Sequence, residues 1–181
     1  MTKYLVLLRG INVGGKNRVP MASLRDCLEE LGYSNVATYI ASGNVTLSSD
    51  RRPGEIKRTI EEALPRTFRL DSELVAVLVL TRTQLQTIVR NKPEGFGERP
   101  DSYHSDVIFL MGIDAPTAMQ VFDPRPGVDS VWPGDGVIYS QRLSAERTRS
   151  RLNRIMSSPV YKSMTIRSWT TTMTLLEWME R

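Results

Sequence analysis

"NVATYIASGNVTLSS", residues 35–49, is the stretch whose reading decides the fold. "NVATYI" and "NVTLS" are strand-like runs, and the "ASGN" between them is a turn signal, because Gly and Asn adopt the left-handed conformations that hairpins demand. Upstream, Met21, Leu24, Cys27, Leu28 and Leu31 recur at helical spacing, so a helix is predicted that Pro20 opens and Gly32 closes. Before it, "YLVLL" at residues 4–8 is a continuous apolar run and predicts a buried strand. Downstream, Ile56, Ile60, Ala63 and Leu64 mark a second helix that Pro65 should end, since its ring cannot continue the ladder. "ELVAVLVL", residues 73–80, is then the most strand-like segment in the chain. The resulting order is strand, helix, strand, strand, helix, strand.

The remainder repeats that order. Leu85, Ile88 and Val89 predict a connecting helix, and "NKPEGFGERPDS", residues 91–102, reads as a linker on its Pro, Gly and charge content. "HSDVIFLM" predicts a strand. Asp114 is the natural N-cap of a helix with Pro116 in its first turn and Met119 and Phe122 facing inward. "VDSVW", "PGDG" and "VIYSQ" predict a hairpin. A helix with Leu152, Ile155 and Met156 on its core face, a strand at "SMTIRSW" and a terminal helix burying Met173, Leu176 and Met179 complete the series. The predicted class is α+β, with two tandem ferredoxin-like βαββαβ subdomains that have antiparallel sheets, plus connecting and C-terminal helices. The expected division is 1–90, a linker at 91–102, and 103–181. In such a sheet the end of the first strand, the hairpin and the entry to the fourth strand share one edge, which for the first unit collects residues 9–18, 42–44 and "FRLDSE" at 68–73.

The 181 residues are 40% hydrophobic and 24% charged, an ordinary globular composition. "MTKYLVLLRG" is too short an apolar run for a signal-peptide core, and no stretch approaches the ~18 apolar residues of a membrane span, so a cytoplasmic protein without a membrane partner is expected. One cysteine excludes an internal disulfide, and with a single histidine it removes most transition-metal sites. The net charge of +4 favours anionic partners. That charge concentrates in the early loop and in "QRLSAERTRSRLNR", where Arg142, Arg147, Arg149, Arg151 and Arg154 face a lone Glu146.

"RGINVGGKN", residues 9–17, is the candidate binding loop. Its Gly10 to Lys16 spacing satisfies G-x-x-x-x-G-K, yet the following residue is Asn17 where a phosphate-binding loop places a magnesium-coordinating Ser or Thr, and the helix begins only near Pro20. A simpler reading fits better: glycines with positive φ expose backbone N–H groups to a phosphate or carboxylate, and Arg9 and Lys16 add charge. Gly14 and Gly15 would present the N–H groups, Asn12, Asn17 and Asn44 would orient the ligand, and Ser42, Gly43 and Asn44 would line the facing turn. The competing reading is a solvated turn whose asparagines bond their own backbone. The partner predicted first is a small anionic or phosphorylated ligand. A nucleic acid on the arginine-rich segment ranks second, and a protein-interaction module without a small ligand third. No cofactor, catalytic group or reaction is identifiable.

Other residues carry weaker signals. His104 could act as a general base oriented by Asp101 or Asp106, but no nucleophile pairs with it, and a structural histidine is the stronger reading. Cys27 on an apolar helix face predicts a buried, inert thiol. Arg147, Arg151 and Arg154 would share one face of the late helix, either tracking phosphates or covering apolar surface with their stems. An RNA-recognition sheet is excluded by the lack of stacking aromatics in "NVTLSS". Trp169 reads as core, with Arg167 paired to a carboxylate.

"LLRGINVGGKNRVPM", "TYIASGNVTLSS" and "TIRSWTT" resemble the bacterial family catalogued as domain of unknown function 1697, over nearly the whole chain. The resemblance implies a two-subdomain α+β architecture and no assigned reaction. The chain departs from the family pattern at Ala41, where glutamine is usual, at Thr148, where glycine is common, and at Ser168 and Thr170, which replace two asparagines. The departures at Ala41, Ser168 and Thr170 remove amide donors, which leaves altered and lost function both open.

Overall fold

The structure, a computed structural model, describes residues 1–71 and 75–181. β1 (Thr2–Arg9) holds the continuous apolar run, and its residues 4–8 are buried on both faces of the sheet. An alternating pattern would leave one face wet; an unbroken one requires cover on both. α1 (Met21–Glu30) follows Pro20, whose extended backbone (φ −62°, ψ 133°) forms the N-cap, and it buries Leu24, Cys27 and Leu28. Gly32, at φ +88°, ends the turn after it. The hairpin is β2 (Ser34–Tyr39) and β3 (Asn44–Ser49).

α2 (Pro53–Thr67) buries Ile56, Ile60 and Leu64, while Ala63 is only partly buried. Pro65 does not end this helix, as the sequence reading has it, but lies in its last turn. Only two more residues follow in the helix and Phe68 N still donates to Leu64 O at 2.9 Å, so the proline removes little beyond one ladder bond. β4 (Ala76–Thr81) completes an antiparallel sheet of order β2-β3-β1-β4. Residues 72–74, part of the predicted edge and of the start of "ELVAVLVL", lie outside the described residues. Tyr4, Val6 and Leu8 pack with both helices in the main core of this sheet.

α3 (Arg82–Arg90) leads to a second antiparallel sheet, of order β6-β7-β5-β8, formed by β5 (Tyr103–Leu110), β6 (Asp129–Pro133), β7 (Val137–Leu143) and β8 (Met164–Ser168). α4 (Ala115–Met119) is capped as the sequence predicts, with Thr117 N donating to Asp114 Oδ1 at 2.8 Å. Between β7 and β8 the predicted helix is replaced by three 3₁₀ segments, Ser144–Arg149, Leu152–Ser157 and Pro159–Ser163. Ser150 and Ser158 break the run: both are extended, and their hydroxyls accept from Leu152 N and Val160 N. Leu152 and Ile155 are buried as expected, but Met156 is 60% exposed. In α5 (Trp169–Glu180) the buried positions are Thr172, Leu175 and Met179, so Met173 and Leu176 lie beside the buried stripe.

The chain divides into two compact units, residues 1–85 with 175–181, and 86–174. Residues 91–102 therefore sit inside the second unit rather than linking two, because Phe96 is fully buried there in edge-to-face contact with Trp132, Tyr139 and Trp169. The end of α5 groups with the first unit. Lys3 Nζ donates to Trp178 O at 2.8 Å, and the Tyr39 and Trp178 rings meet edge to face at 5.3 Å. Among the described residues no helix is long and apolar enough to cross a membrane.

Candidate functional site

The loop of residues 9–17 leaves the end of β1 and folds back on itself as a small hairpin. Val13 and Lys16 pair, with Lys16 N donating to Val13 O at 3.0 Å, and the central glycines Gly14 and Gly15 take φ +58° and +77°. Positive φ at both central positions is what a two-residue type I′ turn requires. A Cβ at either glycine would meet nothing within 4 Å, so conformation, not packing, demands glycine there. Their amides make no hydrogen bond within the described structure. Residues 13–16 are exposed, and the Lys16 ammonium has no partner among the described residues.

Two asparagines build the frame. Asn12, itself at φ +54°, accepts Val19 N through Oδ1 at 2.8 Å and donates through Nδ2 to Val19 O and Ala41 O, both at 2.9 Å. Asn17, at φ +48° and 4% exposure, accepts Asp71 N at 2.7 Å through Oδ1, donates to Gly10 O at 2.7 Å, and gives its own N–H to Asp71 Oδ2 at 2.7 Å. This reciprocal pair ties the loop to the segment after α2. The asparagines thus spend their amides on the protein, both within the loop and on distant groups at Ala41 and Asp71.

The turn at residues 40–43 meets the loop, as the sheet topology predicts. Besides the Asn12–Ala41 bond, Leu8 N donates to Gly43 O at 2.8 Å. Gly43, at φ +80°, is so close that a Cβ would lie 2.9 Å from Leu8 Cβ and 3.0 Å from Ile11 Cδ1. Asn44 is fully buried and donates to Tyr39 O at 3.0 Å and Ser42 Oγ at 2.9 Å, closing its own hairpin. Ile40 stands at φ +49° with 52% of its surface exposed. A β-branched residue in that region is strained by roughly 1–3 kcal/mol, and such strain persists where the surroundings impose it. Sequence reasoning did not single out Ile40, because nothing in "TYIASG" reveals which residue takes the left-handed position.

Of the nine predicted ligand residues, the structure therefore brings all into one rim but sorts them. Arg9 is half-buried at the end of β1; Gly14, Gly15 and Lys16 form the exposed tip; Asn12, Asn17, Gly43 and Asn44 are frame; Ser42 is exposed in the turn. Elsewhere in the first unit, a cleft of about 560 Å³ is lined by Lys3, Thr81, Arg82, Met179 and Arg181 among others and includes none of the nine.

The remaining candidates resolve individually. Cys27 is buried, its Sγ 3.6 Å from Thr67 Oγ1. His104 Nε2 lies 3.1 Å from Asp106 Oδ2. Burial pushes the Asp106 carboxyl above its ordinary range, against the pull of His104 and Arg142. The late arginines do not form a helical stripe: Arg149 pairs with Glu146 at 3.1 Å, while Arg151 and Arg154 both reach Asp123, at 3.0 and 3.1 Å. Arg167 is buried and donates to Thr165 Oγ1 and Ile166 O, each at 2.8 Å; burial lowers its pKa to about 10. Among the described residues no group of three or more His, Cys, Asp or Glu could hold a metal ion.

The model of a family described as protein of unknown function (DUF1697) matches residues 1–139. A solved structure of the conserved bacterial protein SP0830 from Streptococcus pneumoniae is similar in fold, with a TM-score of 0.82, 24% sequence identity and 98% of each chain covered. No curated protein is a significant match. With more than half its length matched, and with the "RGINVGGKN" loop and "SGN" turn inside the matched region, the chain belongs to the DUF1697 family of proteins of unknown function.

Proposed function

We propose that the first unit binds a small anionic or phosphorylated ligand at the rim where the loop of residues 9–17 meets the turn of residues 40–43. In this reading Lys16 and Arg9 neutralise charge, and the Gly14 and Gly15 amides donate to oxyanion oxygens. Asn12, Asn17 and Asn44 hold the loop instead of touching the ligand. The observation that carries the reading is a preorganised tip: two adjacent glycine amides without hydrogen bonds among the described residues, next to a lysine with no partner among them, on a loop fixed from beneath by Asn12 and Asn17. Preorganised N–H groups lose little freedom when an anion arrives. The strain kept at Ile40 supports the same place, since strained backbone clusters at ligand clamps. The Lys16 contact, as a charge-assisted hydrogen bond, contributes about 1.5–3 kcal/mol, so Lys16→Ala weakens binding by about 10- to 100-fold. Thermal-shift titration of wild type and Lys16→Ala with pyrophosphate tests this, and equal stabilisation of both proteins contradicts it.

The same reading takes each unit as a ferredoxin-like βαββαβ module. Its support is the matching strand orders, β2-β3-β1-β4 and β6-β7-β5-β8, with 3₁₀ segments standing in for the second helix of the second unit.

A further inference from the structure

Tyr4, Val6, Leu8, Val45 and Leu47 turn toward α1 and α2, so the first sheet has a second face that these helices do not cover. Thr46 on β3 is the register partner of Leu5 on β1 and of Ala37 on β2, and directly opposed residues project to one face. Lys3, two residues before Leu5, points the same way. The last residues of α5 belong to the same unit and meet this face, where the Trp178 ring contacts Tyr39 and the Trp178 carbonyl accepts Lys3 Nζ. Beside that contact a cavity of about 250 Å³ is lined by Lys3, Asn35, Ala37, Thr46, Trp178 and Arg181. The cleft of about 560 Å³ described above shares Lys3 and Arg181 with it and adds Thr81 and Arg82. The two hollows therefore join at Lys3 and Arg181.

Their linings differ in chemistry. The smaller hollow has a shallow floor, because Ala37 and Thr46 are short, and an indole wall. Trp178 is held by its edge-to-face contact with Tyr39 at 5.3 Å and by the 2.8 Å bond from Lys3 to its carbonyl, so the wall stands before any ligand arrives. Thr46 is 2% exposed, which makes the floor a packed surface. A flat ring suits such a floor, and ring pairing with an indole favours an aromatic ring over a saturated one. The larger hollow is cationic. Lys3 spends one of its three ammonium donors on a neutral carbonyl, and neither Lys3 nor Arg82 has an ion pair among the described residues. Arg181 reaches Glu177 only at 4.0 Å, with both side chains exposed. Against these three cations, Glu180 is the one carboxylate side chain in the lining.

We propose that the joined hollows bind a small aromatic acid. A single planar ring lies in the smaller hollow against Trp178, and its carboxylate or phosphate sits at Lys3, in the cleft that Arg82 and Arg181 also line. The site does not rest on the loop of residues 9–17.

The test is a titration of the full chain at neutral pH with phenylacetate, phenyl phosphate, phenethylamine and cyclohexaneacetate in separate arms. The reporters are the Ala37 and Thr46 amide resonances and the Trp178 indole N–H. The better of the two aromatic acids should give a saturable shift, at least about tenfold tighter than phenethylamine and at least about threefold tighter than cyclohexaneacetate. Tighter response to phenylacetate identifies a carboxylate as the acid group, and tighter response to phenyl phosphate identifies a phosphate. Lys3→Gln, whose amide can still donate to a carbonyl, should weaken the acid by about tenfold or more without weakening the amine. Ala37→Leu fills the floor from a partly exposed position on an edge strand and should weaken the acid at least about tenfold; it carries the test if Lys3→Gln loosens α5. No saturable shift with either aromatic acid, phenethylamine or cyclohexaneacetate binding as tightly as the better acid, or affinity unchanged by Ala37→Leu overturns the proposal. Failure of the loop site would appear at the Gly14 and Gly15 amides instead, so the two outcomes are separable.

Discussion

Gly43→Ala should destabilise the first unit by about 2–5 kcal/mol, whereas Gly14→Ala should cost only about 1–2 kcal/mol. Both glycines have positive φ, +80° and +58°, so the backbone penalty of a Cβ is shared and cancels in the comparison. What remains is contact. At Gly14 the new methyl meets open space; at Gly43 it lies 2.9 Å from Leu8 Cβ and 3.0 and 3.2 Å from Ile11. Leu8 is 1% exposed in the central strand and cannot give way, and Ile11 is equally buried. The turn cannot retreat without stretching the 2.8 Å bond from Leu8 N to Gly43 O. Overpacking of this kind costs about 1–3 kcal/mol, which is the predicted difference between the variants. Native-state hydrogen exchange of the Val45 and Leu47 amides measures it within the first unit, free of the second unit's own unfolding. If the variants agree within about 0.5 kcal/mol, the loop and the turn are not packed as one rim.

Three further outcomes follow from the same geometry. Asn12→Ala removes three hydrogen bonds that join the loop to Val19 and Ala41 and should cost about 2–3 kcal/mol in urea unfolding, with shifts of the Gly14 and Gly15 amides showing that the tip has lost its frame. Ile40→Gly should stabilise by about 0.5–1 kcal/mol, because relief of left-handed strain exceeds the entropy glycine adds to the unfolded chain; destabilisation would place the strain elsewhere. Asp129, with its folded pKa below the unfolded 3.8, contributes stability that is present above that value and lost as pH falls through the folded pKa. The stability difference between wild type and Asp129→Asn should therefore be largest above about pH 4 and shrink in more acid solution.

The sequence carried the local patterns faithfully where one physical signal dominated. Residues 4–8 could be read as a buried strand because a strand covered on both faces has no polar alternation, and α1 because its apolar stripe is long and bounded by Pro20 and Gly32. Pro65 misled because a proline in a last turn is nearly free, whereas one in mid-helix is not. The segment after β7 misled because Leu152 and Ile155 mark a buried face equally well in 3₁₀ turns, and the hydroxyls of Ser150 and Ser158 that decide the matter leave no periodic trace. Residues 91–102 look like a linker by composition, yet Phe96 among the glycines was the clue that the segment folds inward. The meeting of the loop with the "SGN" turn was legible through topology. The duties of Asn12 and Asn17 were not, since their partners Val19, Ala41 and Asp71 are set by three-dimensional closure. The bonds that Asp129 Oδ2 accepts from the Arg125 and Arg151 amides, at 3.0 and 2.9 Å, were equally hidden, since they depend on how β6 and the segment after β7 close in three dimensions.

The central claim is that the glycine tip of the first unit accepts an oxyanion, and its most direct test is an amide-resolved titration of the wild-type chain with pyrophosphate. The account predicts saturable movement of the Gly14 and Gly15 amide signals that is lost in Lys16→Ala. Unmoved glycine amides while other resonances respond, or movement unchanged by Lys16→Ala, would contradict it.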